Sequence, residues 1–150
     1  MTSFHFRFES LLVLQRQQRN ELIRELTETH TAINDTQEKI DHLQQQRDEL
    51  RSAAAGRFAT DVHISVDRLR HEARYDRQLA DDQDTLGSTR KQLEAELEQR
   101  RERLIEAEAE VKRLERLREK QSVAYNQLQL QREQATADER TIARMIHSRR

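Results

Sequence analysis

The chain has 150 residues, 27 basic and 28 acidic, leaving a formal net charge of −1. Leu, Ile, Val and Phe supply only 33 of them, whereas Ala, Glu, Lys, Leu and Arg supply 76, the composition of long helices and coiled coils. With no proline and two glycines, the chain lacks the turn residues that β-rich and α/β domains need, and both classes are excluded.

Residues 1–10 carry no basic segment leading into an apolar stretch, so no secretory signal is expected. Phe4, Phe6 and Phe8 crowd three of the four phenylalanines into this tip. One reading has them cap the open end of a helical hairpin against Ile142, Met145 and Ile146; the other has part of the tip enter a partner. From position 8 to 50 an unbroken spacing of alternate fours and threes follows: Phe8, Leu12, Gln15, Arg19, Leu22, Leu26, Thr29, Ile33, Thr36, Ile40, Leu43, Arg47, Leu50. A mean step of 3.5 residues predicts a helix with one apolar seam and a left-handed supercoil. Off the seam the residues are mostly charged or Gln, so the helix has no second face to bury.

A less regular stretch comes next. Gly56 reads as a helix stop, with Thr60 or Asp61 as the cap of a restart. Val62, Val66, Leu69, Ala73 and Ala80 form a stripe that drifts out of phase before Leu86, and Gly87-Ser88 interrupts again. A second unbroken frame covers positions 93 to 146, from Leu93 and Leu97 through Val111, Leu114, Arg118, Tyr125, Leu128 and Arg132 to Ile142 and Ile146. Arginines at seam positions (Arg19, Arg47, Arg118, Arg132) cost stability but restrict register and partner choice. Glu96 with Arg100, and Glu108 with Lys112, add i,i+4 support.

The fold expected is all-α: a single coiled-coil domain over 1–150, folded as a long antiparallel two-helix hairpin. Its helices run over about 5–55 and 88–148, each roughly 75–90 Å long at ~1.5 Å per residue, with a helical middle segment over about 61–86 at the tip. The matched lengths favour paired termini. The rival pairing turns near Gly56, docks the first helix on 62–113 and leaves the seam from Leu114 to Ile146 exposed. In the middle segment Tyr75, Leu79 and Leu86 share a helix face, read either as a partner contact or as packing against Leu43 and Leu50.

Catalysis lacks its ingredients. Two isolated glycines cannot cradle a phosphate, and no two of the six histidines stand four residues apart. Asp67, His71 and Tyr75 share a face, read as a solvated surface rather than a metal or acid–base site. The clusters Glu106/Glu108/Glu110, Asp81/Asp82/Asp84 and Arg100/Arg101/Arg103 read as outer faces. Without cysteine there is no disulfide, thiolate zinc site or thiol nucleophile, which fits a cytoplasmic protein. Apolar runs reach about four residues, against the ~20 that span a bilayer. The balanced charge argues against a nucleic-acid binder. No enzyme activity, cofactor or metal is expected, and the chain is read as an elongated monomer on its own, a rod that binds proteins.

Two blocks carry a family resemblance. The opening Phe4-x-Phe6-Arg7-Phe8-Glu9-x-Leu11-Leu12-x-Leu14, followed by Arg16 and Glu21, resembles the start of the flagellar FliJ proteins, with its Phe-Arg-[Phe/Leu] element and leucine-rich first turn. Here Gln15 comes before the basic Arg16. The second block runs from Ala107 through Val111-Lys112-Arg113-Leu114-Glu115-Arg116-Leu117-Arg118 to Lys120, followed by Tyr125, Glu133-Gln134 and Asp138-Glu139. It is similar to the family's second helix.

The resemblance implies a non-enzymatic component of the flagellar type III export apparatus: a stalk-like coiled coil at the centre of the hexameric export ATPase. Such a protein promotes assembly and activity of the ring, contacts the membrane export gate and handles export chaperones. It would sit in the cytoplasm, peripherally associated with the inner membrane at the flagellar base. Carried onto this chain, gate contacts fall on Tyr75, Leu79 and Leu86, with Asp82 where the family can carry a small apolar residue. ATPase contacts fall on Arg116, Arg118, Asp138 and Glu139. A generic oligomerising coiled coil, or the equivalent stalk of an injectisome, is the alternative.

Overall fold

The computed structural model describes residues 3–60 and 63–148. Two helices make up the fold, α1 (Glu9–Thr60) and α2 (Val66–Ser148), packed against each other as an antiparallel hairpin. No strand occurs among the described residues. Contacts cluster in two compact units, Met1–Asn20 with Ile105–Arg150, and Glu21–Leu104.

Helix starts follow local chemistry. The Glu9 amide donates to the Phe6 carbonyl at 3.1 Å, closing a turn ahead of α1. Ser65 starts α2: its hydroxyl accepts from the Arg68 amide at 3.4 Å and its carbonyl from the Leu69 amide at 3.2 Å. The stop expected at Gly56 and the break expected at Gly87 are both absent, because each glycine sits inside a continuous helix with no positive φ. Helix formers on both sides outweigh the ~1 kcal/mol that one glycine costs. The middle segment over 61–86 is therefore no separate piece, since α2 is unbroken from Val66. Of the residues assigned to that segment, Asp61 and Val62 lie outside the described residues.

In the unit Glu21–Leu104, α1 presents Leu22, Leu26, Thr29, Ile33, Thr36, Ile40, Leu43, Arg47 and Leu50 to α2, as the heptad reading requires. The matching strip of α2 is Leu69, Glu72, Asp76, Leu79, Gln83, Leu86, Arg90, Leu93 and Leu97. The stripe through Val66, Ala73 and Ala80 is thus off the seam, which holds one phase through Gly87. That phase was hidden because half of its members in the first four turns are polar. Each finds a partner across the interface. Arg47 grips Asp76 in a fork, Nε to Oδ1 at 2.8 Å and Nη2 to Oδ2 at 3.3 Å, and its Nη1 donates to Gln83 at 2.8 Å. The Gln83 amide donates in turn to the Ile40 carbonyl at 3.3 Å and to Gln44 at 3.1 Å. Arg57 pairs with Glu72, and Arg90 with Gln37. Arg100, a member of the frame that starts at Leu93 although also grouped with Arg101 and Arg103 as an outer face, turns inward to the Glu25 carbonyl at 3.1 Å and to the Thr29 hydroxyl. Thr29 and Thr36 are buried because their hydroxyls donate to carbonyls one turn back, Glu25 and Ala32.

The Arg47 fork holds the Asp76 carboxyl below the usual carboxylate range, with Arg51 adding a contact at 3.4 Å, and Asp76 in turn raises the Arg47 guanidinium. A carboxylate with a lowered folded-state pKa contributes stability that is present above its unfolded value near 4 and is lost as pH falls through the lower folded value.

Two outcomes follow. Asp76→Asn unfolds at lower urea than the parent at neutral pH, and the gap narrows as pH drops below about 4, where Asp76 itself protonates; an unchanged gap at low pH would break the assignment. At Gly87 a Cβ would meet nothing within 4 Å, so Gly87→Ala raises stability by about 0.5–1 kcal/mol in thermal melts. A loss on that substitution would mean that the helix is strained there.

Candidate partner-binding surface

The unit Met1–Asn20 with Ile105–Arg150 holds both ends of the chain. Phe6, Leu12, Val111 and Leu114 form its buried core, with Phe4 and Leu117 packed against it. The Phe4 ring tilts onto Tyr125 with centroids 5.8 Å apart, and Phe8 meets Phe6 edge-on at 5.9 Å. Phe8 is the outermost of the three, 37% exposed, with the Arg7 guanidinium over its ring at 5.6 Å. Most of the tip therefore packs, but not where the sequence put it. Ile142, Met145 and Ile146, its expected partners, are 57%, 63% and 64% exposed.

The cause is register. Glu9 meets Arg118 at 3.3 Å and Arg16 meets Glu115 at 2.8 Å, so the first two turns of α1 lie beside residues 115–118. The extended residues before it reach as far as Tyr125. The termini are not paired, because α2 continues to Ser148 with no α1 left to cover it. The rival pairing describes this end of the molecule better than the favoured one, although its turn lies between Thr60 and Val66 rather than at Gly56.

Two surfaces result. The first lies on the paired part, where Arg116 is exposed and Arg118 is half-exposed while held by Glu9. Leu11, Val13 and Leu14 are exposed on α1 in the same unit, because only Leu12 of that apolar run points into the single seam. The run of four apolar residues was the signal, since a helix with one seam cannot bury all of them. The second surface is the uncovered end of α2, which carries Asp138 and Glu139 with Leu128, Ile142 and Ile146.

In the unit Glu21–Leu104 the three gate candidates separate. Tyr75 is half-exposed, Leu79 is buried in the seam, and Leu86 is half-buried in a shallow groove with Leu43, His42 and Glu38. They form no single exposed stripe, since Leu79 follows the seam. Asp82 lines the same groove. Asp67 and His71 are exposed. Among the described residues no His, Asp or Glu cluster is placed to hold a metal, and no helix is long and apolar enough to cross a membrane.

The model of one family, described as flagellar FliJ protein, matches residues 4–150. No curated protein and no solved structure matches the chain.

Core and overhang should respond differently to truncation. Leu12→Ala, at a fully buried site, lowers unfolding free energy by about 2–5 kcal/mol. Ile142→Ala, on the uncovered helix, changes it by less than about 0.5 kcal/mol. Equal losses in denaturant titrations would mean that the end of α2 is covered within the chain.

Proposed function

Because the chain belongs to the flagellar FliJ family, and so is a component of the flagellar export apparatus, we propose that it serves as the stalk of the export ATPase ring. The end bearing Arg116, Arg118, Asp138 and Glu139 enters the hexamer, promotes its assembly and raises its turnover. The chain itself has no catalytic role. At the other unit, Tyr75 and the rim of the Leu86 groove contact the export gate, with Leu79 supporting them from inside the seam. Export chaperones are handled on the same molecule, which works on the cytoplasmic side, peripheral to the inner membrane at the flagellar base.

The observation that best supports this reading is the uncovered end of α2, where seam positions from Leu128 to Ile146 point outward instead of into the hairpin. A hairpin that needed only to be stable would end both helices together. One that must present a helix to a ring leaves apolar seam positions for it, with Arg118 and Glu139 to orient the contact. Balanced charge and a fold with one apolar stripe per helix agree with a protein-binding part rather than a catalyst.

Mixing the chain with its cognate export ATPase should raise both ATP turnover and the hexamer fraction. Arg116→Glu should reduce both several-fold, while Tyr75→Ala leaves them intact and weakens retention on the export gate. Unchanged turnover and unchanged assembly with the parent chain would remove the stalk reading.

A further inference from the structure

Beyond Tyr125 the seam of α2 keeps its frame with no described residue over it: Leu128, Arg132, Ala135, Glu139, Ile142 and Ile146, all exposed. It is the direct continuation of the track that α1 covers between Glu9 and Arg118. The order of these residues has a symmetry. Read outward from Ala135, the seam runs to Arg132 and then Leu128 in one direction, and to Glu139 and then Ile142 in the other. The apolar positions mirror each other and the charged ones are opposite in sign.

We infer that this strip pairs with the same strip of a second copy of the chain, antiparallel and centred at Ala135, placing Arg132 of each copy beside Glu139 of the other. Leu128 then meets Ile142 across the interface, twice, and the alanines meet at the two-fold axis, where their small side chains let the helices approach. The arrangement is isologous, so it closes at two chains. A parallel pairing would set Arg132 on Arg132 and Glu139 on Glu139, which orients the contact by repulsion as well as attraction. The flanking positions are nearly silent: Gln129, Gln131, Thr136, Ala143 and Met145 are uncharged, leaving Asp138 the only charge beside the seam. Elsewhere in the chain a seam arginine already meets an acidic seam residue of a facing antiparallel helix, as Arg47 meets Asp76 at 2.8 Å.

The contact is only about three heptads long, so association is weak and reversible rather than obligate. On this proposal the elongated monomer expected from the sequence is in equilibrium with a dimer. Pairing covers Asp138 and Glu139, so a second copy and the ATPase ring are alternative occupants of one strip.

Sedimentation equilibrium of the full chain from about 1 to about 300 µM tests this. The parent should show a concentration-dependent dimer. Arg132→Glu and Glu139→Arg each turn two attractive pairs into repulsive ones and should weaken dimerisation on the order of tenfold, with helicity unchanged by circular dichroism. The two singly substituted chains mixed in equal amounts should regain the parent's affinity, as should the doubly substituted chain, because both restore opposite charges at every pair. A chain monomeric throughout the range, or single variants that dimerise like the parent, would overturn the inference. Capture on the export ATPase by a chain that never dimerises would assign the strip to the ring alone.

Discussion

Unequal helix length is the constraint on which the functional surface depends. A hairpin with one apolar strip per helix can cover α2 only as far as α1 and the residues before it extend. α1 has 52 residues and α2 has 83. Whatever the partner, the surplus leaves seam residues in water unless a second protein supplies the missing helix. The N-terminal phenylalanines soften the boundary: Phe4 and Phe6, ahead of the helix proper, spread over Tyr125 and the Val111–Leu114 core. Aromatic rings on extended backbone cover more surface per residue than another helical turn, and they end the covered region abruptly. Past them no described residue covers α2.

The polar residues in the seam have a matching explanation. A coiled coil of uniform leucines tolerates a slip by one heptad, because each layer resembles the next. Layers built from Arg47 with Asp76 and Gln83, or Arg57 with Glu72, do not repeat. Shifting the helices by a heptad would set Leu69 or Gln83 in the place of Asp76 opposite Arg47 and, in one direction, Leu79 in the place of Glu72 opposite Arg57. A half-buried charge without its partner costs more than the pair gains. Such pairs contribute little to net stability, but they make one alignment far better than its neighbours. This also explains why the chain can fold with so few large apolar residues: specificity is supplied by side chains that composition counts as surface.

How much of this was legible from the sequence depended on residue type. The α1 frame is readable from Phe8 to Leu50 because its members are mostly apolar, and the structure follows it from Leu12 onward, Phe8 lying ahead of the helix and exposed. On α2 the frame is readable only from Leu93 onward. Before that, Glu72, Asp76, Gln83 and Arg90 occupy seam positions, while Val66, Ala73 and Ala80 look like a stripe and are not one. Nothing local marks Asp76 as inward; its partner Arg47 is 29 residues away. Gly56 and Gly87 misled for a related reason, since local punctuation yields when both flanks favour helix and the glycine has only to adopt an ordinary helical φ. Pairing register was the least legible feature. With a middle segment set aside as a tip, two helices of matched length suggest flush ends, whereas the real partners of Phe4 and Phe6 are Tyr125 and the core near Val111. Of the candidate surface residues, Arg116, Asp138 and Glu139 are exposed, whereas Leu79 is buried in the seam.

An uncovered seam is a hazard as well as an opportunity, because exposed apolar stripes associate with whatever fits them. The placement of charge on this one limits the choice. Arg132 and Glu139 sit a heptad apart with Ala135 between them, so a helix laid on the strip must offer the reverse order of charge or leave a charge facing apolar side chains. A second copy meets that demand by symmetry; an export ATPase must meet it by design of its own surface. If both do, the occupant is set by relative concentration and affinity. On the proposed stalk role a weak self-contact then guards the strip until the ring is present, and yields to it at little cost because the dimer is short. A long self-complementary seam would guard better but would not release. The length of the overhang therefore fits a temporary cover, one that shields apolar residues without committing the chain to its own copy.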